Sequence, residues 1–343
     1  MKSFVAGLLI GSMLLSGCVK DRPVVNTSAT LTPGLAGKVL IGNEGNFGSG
    51  NASLSVYDPN TGVCVEDQYK AQNGSAMGDV LQSIYAHKGK YFLVLNNSSK
   101  ILVCDQNLKL QSVIQGLTSP RYFLPLSNQK AYVSDLKANA LAVLDLNSLQ
   151  KTGSISLPGW SEAMLQVYNQ VFVCNMKRSY VYIINALNDT KTDSVWVGPN
   201  ASSLQVDKYD KLWILSGGDS LAGLKPRLTR YNVYQGQVEQ SVELPGGYGA
   251  SHLCVNANRD TLYYLQRHVY HLSVDQATTS VKVAIQAGAR NFYSMAVHPI
   301  QNRVYVADAL DYVQRSVIYV YSTSGEEKTQ FKAGVNSGSF YFE

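Results

Sequence analysis

The sequence predicts an all-β chain folded as a seven-bladed β-propeller, with strands from the two ends of the chain closing the ring inside one blade. Three observations predict it: an aromatic strand motif that recurs at nearly constant spacing, a second strand that follows each copy and ends in Asp, Asn or Ser, and an unpaired strand-like segment at either end. Composition agrees. The 343 residues hold 22 Tyr and 28 Gly against 6 Met, a balance that suits pleated strands and tight turns more than helices. With 45% hydrophobic and 15% charged residues, the chain can bury a sizeable core and is not a disordered or coiled-coil sequence. The formal charge is +5 without a run of five basic residues, which excludes a strong nucleic-acid footprint.

The repeat justifies the elements in order. Marker strands occur at Lys90-Tyr91-Phe92-Leu93-Val94, Lys130-Ala131-Tyr132-Val133, Gln170-Val171-Phe172-Val173, Lys211-Leu212-Trp213-Ile214, Thr261-Leu262-Tyr263-Tyr264 and Arg303-Val304-Tyr305-Val306. From Tyr91 through Tyr132, Phe172, Trp213 and Tyr263 to Tyr305 the intervals are 41, 40, 41, 50 and 42 residues. A seventh copy, Lys38-Val39-Leu40-Ile41, stands 51 residues before Tyr91 when counted from Leu40. A following strand is read after each marker, as in Leu54 to Asp58, Ile101 to Asp105 and Leu141 to Asp145, then an outer alternating strand such as Gly153-Ser154-Ile155-Ser156-Leu157. Four short strands in about 41 residues describe one propeller blade. The copy at Val39 lacks an opening strand, and Ser337 to Phe342 is an opening strand with no blade after it. Joined, they leave no free sheet edge at the seam. A six-bladed ring with a loose terminal hairpin is the structural alternative. The long intervals are read as insertions between second and third strands, building a rim.

The chain divides into residues 1–17, 18–37 and 38–343. Met1-Lys2, the apolar stretch Phe4 to Leu15 and then Ser16-Gly17-Cys18 have the order of a lipoprotein signal peptide, with Cys18 as the lipidated residue and 18–37 as a flexible tether. The four other cysteines, Cys64, Cys104, Cys174 and Cys254, show no metal-ligand spacing and sit in apolar runs. They read as free thiols filling the core, although an even number in an exported protein also permits two disulfides.

The loops entering each blade and the loops between second and third strands emerge on one face, and that face is the candidate site. Its residues are Asn43, Glu44, Asn46, Phe47, Asp79, Asn97, Arg121, Tyr122, Trp160, Arg178, Asn200, Tyr248, His252, Arg267, His268, Arg290, Phe292, Tyr293 and Tyr312. Amides and hydroxyls both donate and accept, and aromatic rings give rigid contact area, so the mixture suits a large polar ligand with flat portions. The acids lie on different blades beside Lys and Arg, with neither a convergent carboxylate set nor a metal cage. The face therefore reads as binding and not catalytic. His87 and His298 read as residues of exposed turns on the opposite face.

The segments Asn43-Glu44-Gly45-Asn46-Phe47-Gly48-Ser49-Gly50-Asn51, Gly78-Asp79-Val80-Leu81-Gln82-Ser83, Asn96-Asn97-Ser98-Ser99-Lys100 and Ser119-Pro120-Arg121-Tyr122, on a lipoprotein with YncE-like repeats, resemble the BtuG family of cobalamin-binding surface lipoproteins. The resemblance spans essentially the whole chain after Cys18. It implies a lipid-anchored propeller on the outer membrane that faces the cell exterior, binds cobalamin (vitamin B12) or a related corrinoid as a transported ligand with no cofactor of its own, and passes it to a BtuB-like TonB-dependent transporter. A glycan-binding or adhesion propeller, and a lactonase-like enzyme, remain as alternatives.

Overall fold

The computed structural model describes residues 34–276 and 281–343; the signal peptide and nearly all of the tether read above lie outside the described residues. Seven four-stranded antiparallel sheets form the blades of a propeller. The first contains β1 (Val39–Asn43), β2 (Ser53–Asp58) and β3 (Val63–Val65). After the short helix α1 (Gln68–Asn73) come β4 (Leu81–His87), β5 (Lys90–Leu95), β6 (Lys100–Asp105) and β7 (Leu110–Ile114) in the second. The third holds β8 (Pro120–Pro125), β9 (Lys130–Asp135), β10 (Ala140–Asp145) and β11 (Gln150–Ser156), and the fourth β12 (Ser161–Val167), β13 (Gln170–Asn175), β14 (Tyr180–Asn185) and β15 (Thr190–Trp196). The fifth is β16 (Ala201–Val206), β17 (Leu212–Ser216), β18 (Arg227–Asn232) and β19 (Gln237–Glu243). The sixth is β20 (Ser251–Val255), β21 (Thr261–Leu265), β22 (Val269–Ser273) and β23 (Lys282–Ile285). The seventh is β24 (Phe292–Val297), β25 (Arg303–Asp308), β26 (Arg315–Ser322) and β27 (Glu327–Val335).

The last strand, β28 (Ser337–Phe342), is the inner strand of the first blade, paired to β1 with Val39 opposite Phe342 and Ile41 opposite Phe340. The two ends of the repeat meet as the sequence predicts. Tyr305 packs its ring 6.1 Å from Phe340 and 5.2 Å from Phe342, so the seam is tied into the seventh blade.

The aromatic markers are the wedges between blades. Tyr91, Tyr132, Phe172, Trp213, Tyr263 and Tyr305 are all buried. One interblade layer stacks Phe92 of β5 on Phe123 of β8 at 4.3 Å, with Val94, Val103 and Val133 around them. Trp213 is fully buried and keeps its indole satisfied by donating to Asp207 Oδ2 at 2.8 Å, since an unpaired buried N–H would cost about 1–3 kcal/mol. The four cysteines are free thiols, with Cys104 and Cys174 buried and Cys64 and Cys254 partly so. Burial pushes the thiols of Cys64 and Cys104 up to about 12, where they carry no thiolate character.

Two expectations change. The first insertion does not lie wholly between second and third strands, because residues 66–80, between β3 and β4, hold α1. This helix is too short to stand alone. Asn73 fastens it to the second blade, donating to Leu108 O and accepting from Leu110 N at 2.9 and 2.8 Å. His298 lies in a turn but is buried, accepting from Ile300 N and Gln301 N against the Phe342 ring at 4.7 Å.

Candidate functional site

The two loop sets meet on one face: Asn96 N donates to Val80 O, Met176 N to Trp160 O, Gly217 N to Asn200 O and Ala309 N to Asn291 O. Just inside that face, the ladder of every inner strand slips. Register breaks fall after Leu81, Pro120, Ser161, Ala201, Ser251 and Phe292, and between Ser339 and Ser337 at the seam. A bulge leaves its extra residue unpaired and re-aims its side chain. The residues so released are Gln82, Arg121, Glu162, Ser202, His252, Tyr293 and Gly338, one per blade, and all seven line a central cavity of about 510 Å³.

Half of this ring is bonded to itself. Arg121 grips Glu162 through Nε at 2.9 Å and Nη2 at 2.6 Å, and its Nη1 donates to Gln82 Oε1. Trp160 donates Nε1 to the same carboxylate at 2.6 Å while its ring lies 5.4 Å below the guanidinium, a cation–π contact that adds to the ion pair. The vacancy in the ring at Gly338 is filled from the first blade by Glu44. A Cβ at position 338 would stand 2.3 Å from Glu44 Oε1 and 2.9 Å from its Cδ, so a side chain there would push that carboxyl out of its place. Tyr293 donates its hydroxyl to Glu44 Oε2 at 2.7 Å.

Burial raises the pKa of Glu44 above its ordinary value near 4.5, outweighing the Tyr293 bond and the pull of Arg121. A carboxyl raised in the folded state stabilises the fold below the unfolded pKa and loses that contribution as pH rises through the folded one. Glu44→Gln is therefore expected to melt like the parent at pH 4 and above it at pH 8, the gap opening from about pH 4.5 upward. An equal gap at both pH values in thermal melts would assign the effect to packing and not to charge.

The other half of the ring is open. Ser202 and His252 face the cavity, and below them Tyr85, Tyr122, Met164, Cys254, Met295 and Phe340 form a largely apolar wall. A second recess of about 390 Å³, walled by Asn200, Gly217–Leu221 and Tyr248–Ser251, shares Met176, Ser202 and Ser251 with the first. The concave surface thus runs from the axis out over the fifth blade, where Asn200 Nδ2 donates to Gly218 O at 2.6 Å and Lys225 stands 5.3 Å over the Tyr248 ring.

Of the residues singled out in the sequence, Glu44, Arg121, Tyr122, His252 and Tyr293 line the central cavity, Trp160 buttresses it, and Asn200 and Tyr248 line the second recess. The rest are placed otherwise. Asn43 is fully buried at the seam, its amide donating to Ser53 and Ser55 and accepting from Gly334 N and Ser337 Oγ; it holds the ring closed and has no polar atom left for a ligand. Asp79 Oδ2 braces the loop of the first blade, accepting from Gly48 N at 2.8 Å and from Asn97 Nδ2 at 2.5 Å. Asn46 donates to Tyr312 O at 2.7 Å, and Phe47 and Tyr312 stand out on the rim, 75% and 48% exposed. Arg178 is exposed on the fourth blade. Arg267 donates to Gly288 O and His268 Nδ1 accepts from Ala287 N, both at 3.1 Å, fixing the loop of the sixth blade. Arg290 lies 4.0 Å over Tyr319 and binds Tyr321 and Glu327, fastening the entering loop to the outer strands of the seventh blade, and Phe292 packs between the sixth and seventh blades. Sequence reasoning missed Gln82, Glu162, Ser202, Gly338 and the three methionines as cavity residues. For Gln82, Glu162, Ser202 and Gly338 the signal was positional, one residue past the start of each opening strand.

Among the described residues no group of three or more His, Cys, Asp and Glu side chains could hold a metal ion, and no helix is long and apolar enough to cross a membrane. A family model described as a domain of unknown function, DUF5074, matches residues 37–342. The chain belongs to that family. No curated protein matches the sequence. The DUF5074 fold is similar to a quinonprotein alcohol dehydrogenase-like protein of Bacteroides thetaiotaomicron (TM-score 0.68, 12% identity, 90% of this chain and 79% of that one). It is also similar to the periplasmic gluconolactonase of Pseudomonas aeruginosa (0.67, 14%, 89% and 98%) and to a protein from Lactobacillus plantarum (0.68, 14%, 89% and 99%). At such identities the likeness is one of fold alone, and the DUF5074 site has to be read from its own residues.

Proposed function

We propose that this DUF5074 propeller is a surface lipoprotein, anchored through Cys18, that captures cobalamin or a related corrinoid at the central ring and passes it to a BtuB-like TonB-dependent transporter of the outer membrane. The observation that carries the reading is the ring itself: bulges in seven blades aim six chemically different side chains at one mouth, with Glu44 filling the place at Gly338, backed by an apolar wall and extended by a second recess. A corrinoid is a broad macrocycle edged with amide side chains, and such a rim finds donors and acceptors in Gln82, Ser202, Asn200 and Tyr293 while its apolar faces meet Tyr122, Tyr248 and the methionines. The resemblance of the loops at Asn43 to Asn51 and Ser119 to Tyr122 supports the same ligand.

Binding without turnover is supported by the state of one axial acid. Glu162 is held in a buried ion pair by Arg121 and by the Trp160 indole, which supports a structural role for it and not that of a nucleophile or general base. Titration calorimetry of the lipid-free chain with cyanocobalamin should show one site per chain. Absence of heat at micromolar protein would overturn the corrinoid reading.

A further inference from the structure

The structure assigns His252 a role that rests on the corrinoid reading and goes beyond it: we infer that its Nε2 is the donor that binds the metal centre of the ligand directly, displacing the water on the cobalt face turned toward the cavity. His252 is the bulge residue of β20, aimed at the axis by the register break between Ser251 and Cys254. Its backbone is left-handed, with φ 55, a conformation that non-glycine residues hold only where the surroundings impose it. Nδ1 lies 2.9 Å from Ser251 Oγ, no hydrogen bond among the described residues engages Nε2, and the residue lines the cavity. In the tautomer that donates the Nδ1 proton to Ser251, Nε2 presents its lone pair, and a hydrogen-bonded second nitrogen is the usual support of a metal-binding imidazole.

Burial lowers the pKa of this imidazole to about 4, so it stays neutral and available throughout the physiological range. The neighbouring Cys254 is a poorer candidate. Burial pushes its thiol up to about 11, and its sulfur is directed at His252 O and Met295 O. The exchange is balanced as written: the cobalt–water bond breaks, the cobalt–nitrogen bond forms from the Nε2 lone pair, and neither electron nor proton changes hands.

The test uses cobinamide, which lacks the nucleotide base and so brings no competing heterocyclic nitrogen. Wild-type protein is loaded with the cobalt(II) form and examined by electron paramagnetic resonance. One bound ¹⁴N should split each cobalt line into three, and protein labelled with [¹⁵N]histidine should give two. His252→Gln should bind cobinamide on the order of tenfold more weakly, lose the nitrogen splitting and keep its melting temperature. Ser251→Ala should keep the splitting, with weaker binding. Tight binding by the wild type without nitrogen splitting overturns the assignment and leaves the corrinoid reading standing. No binding of cobinamide or cobalamin overturns both, and the labelled wild type gives the answer even should a His252 variant fold poorly.

Discussion

Removal of Ser337–Glu343 is expected to leave a chain that aggregates or melts far below the parent. The segment is the inner strand of the first blade, and its loss takes away the backbone ladder to β1 from Val39 through Asn43. It also strips the partly buried Phe340 and Phe342 from the cluster of Val39, Ile41, Tyr57, Tyr305 and Val320. Each half-buried ring contributes roughly 1–2 kcal/mol by apolar area. The unpaired β1 edge then offers a template for intermolecular pairing. Asn43 loses Ser337 Oγ as a donor to its Oδ1, and the wall of the central cavity loses Ser339 and Phe340. Against a total of about 5–15 kcal/mol for a domain, these losses are decisive. Size-exclusion chromatography and thermal melting check it, and a truncated chain that stays monomeric and melts within a few degrees of the parent would mean the ring does not depend on the seam. Phe342→Ala alone should cost about 1–2 kcal/mol, separating the ring contact from the strand.

The fold was legible because each of its determinants is local or periodic. The recurring aromatic and apolar run of Tyr91 to Val94 and its six counterparts gives the second strands, and Asp, Asn and Ser close the third ones. The orphan strands at Val39 and Ser339 have no other partner available. Helix α1 was not legible. Six residues span less than two turns, too few for a helical period to register, and what holds them is Asn73 reaching Leu108 and Leu110 in the next blade.

The site was half legible for a related reason. Sequence reasoning could place loops on a face, which brought in Glu44, Arg121, His252 and Tyr293, but it could not show which residue of each opening strand a bulge turns toward the axis. Gln82, Glu162 and Ser202 belong to the segments that enter the blades, but nothing in the sequence marked them as the residues that reach the axis. Gly338 carries no side chain to notice, although its emptiness is what admits Glu44. Arg290 failed in the opposite sense. It stands beside a turn, as a ligand-binding arginine would, yet Tyr319, Tyr321 and Glu327 of the seventh blade claim it, and no pattern in its own segment announces partners about thirty residues away.

The second large effect belongs to the Arg121–Glu162 pair, whose side chains are only 16% and 6% exposed. Glu162→Ala is expected to cost about 3–5 kcal/mol, the range for stranding one partner of a buried pair. It leaves the guanidinium with Gln82 alone and deprives the Trp160 indole of its acceptor. Arg121→Ala should cost a similar amount, because Glu162 keeps only the indole. The double variant Arg121→Met/Glu162→Leu removes both charges together and should be less destabilised than the sum of the single changes, since replacing a whole buried pair with apolar side chains of like volume is often close to neutral. Urea denaturation of the parent, Arg121→Met, Glu162→Leu and the double variant closes the cycle. A coupling near zero would place the pair among solvated surface bridges, worth about 0–1 kcal/mol, and the ring would then owe its shape to the bulges alone. A large coupling makes the ion pair part of what holds the polar half of the ring rigid, so that a ligand meets Gln82, Arg121 and Glu162 already ordered and the cost of fixing them is met in folding and not in binding.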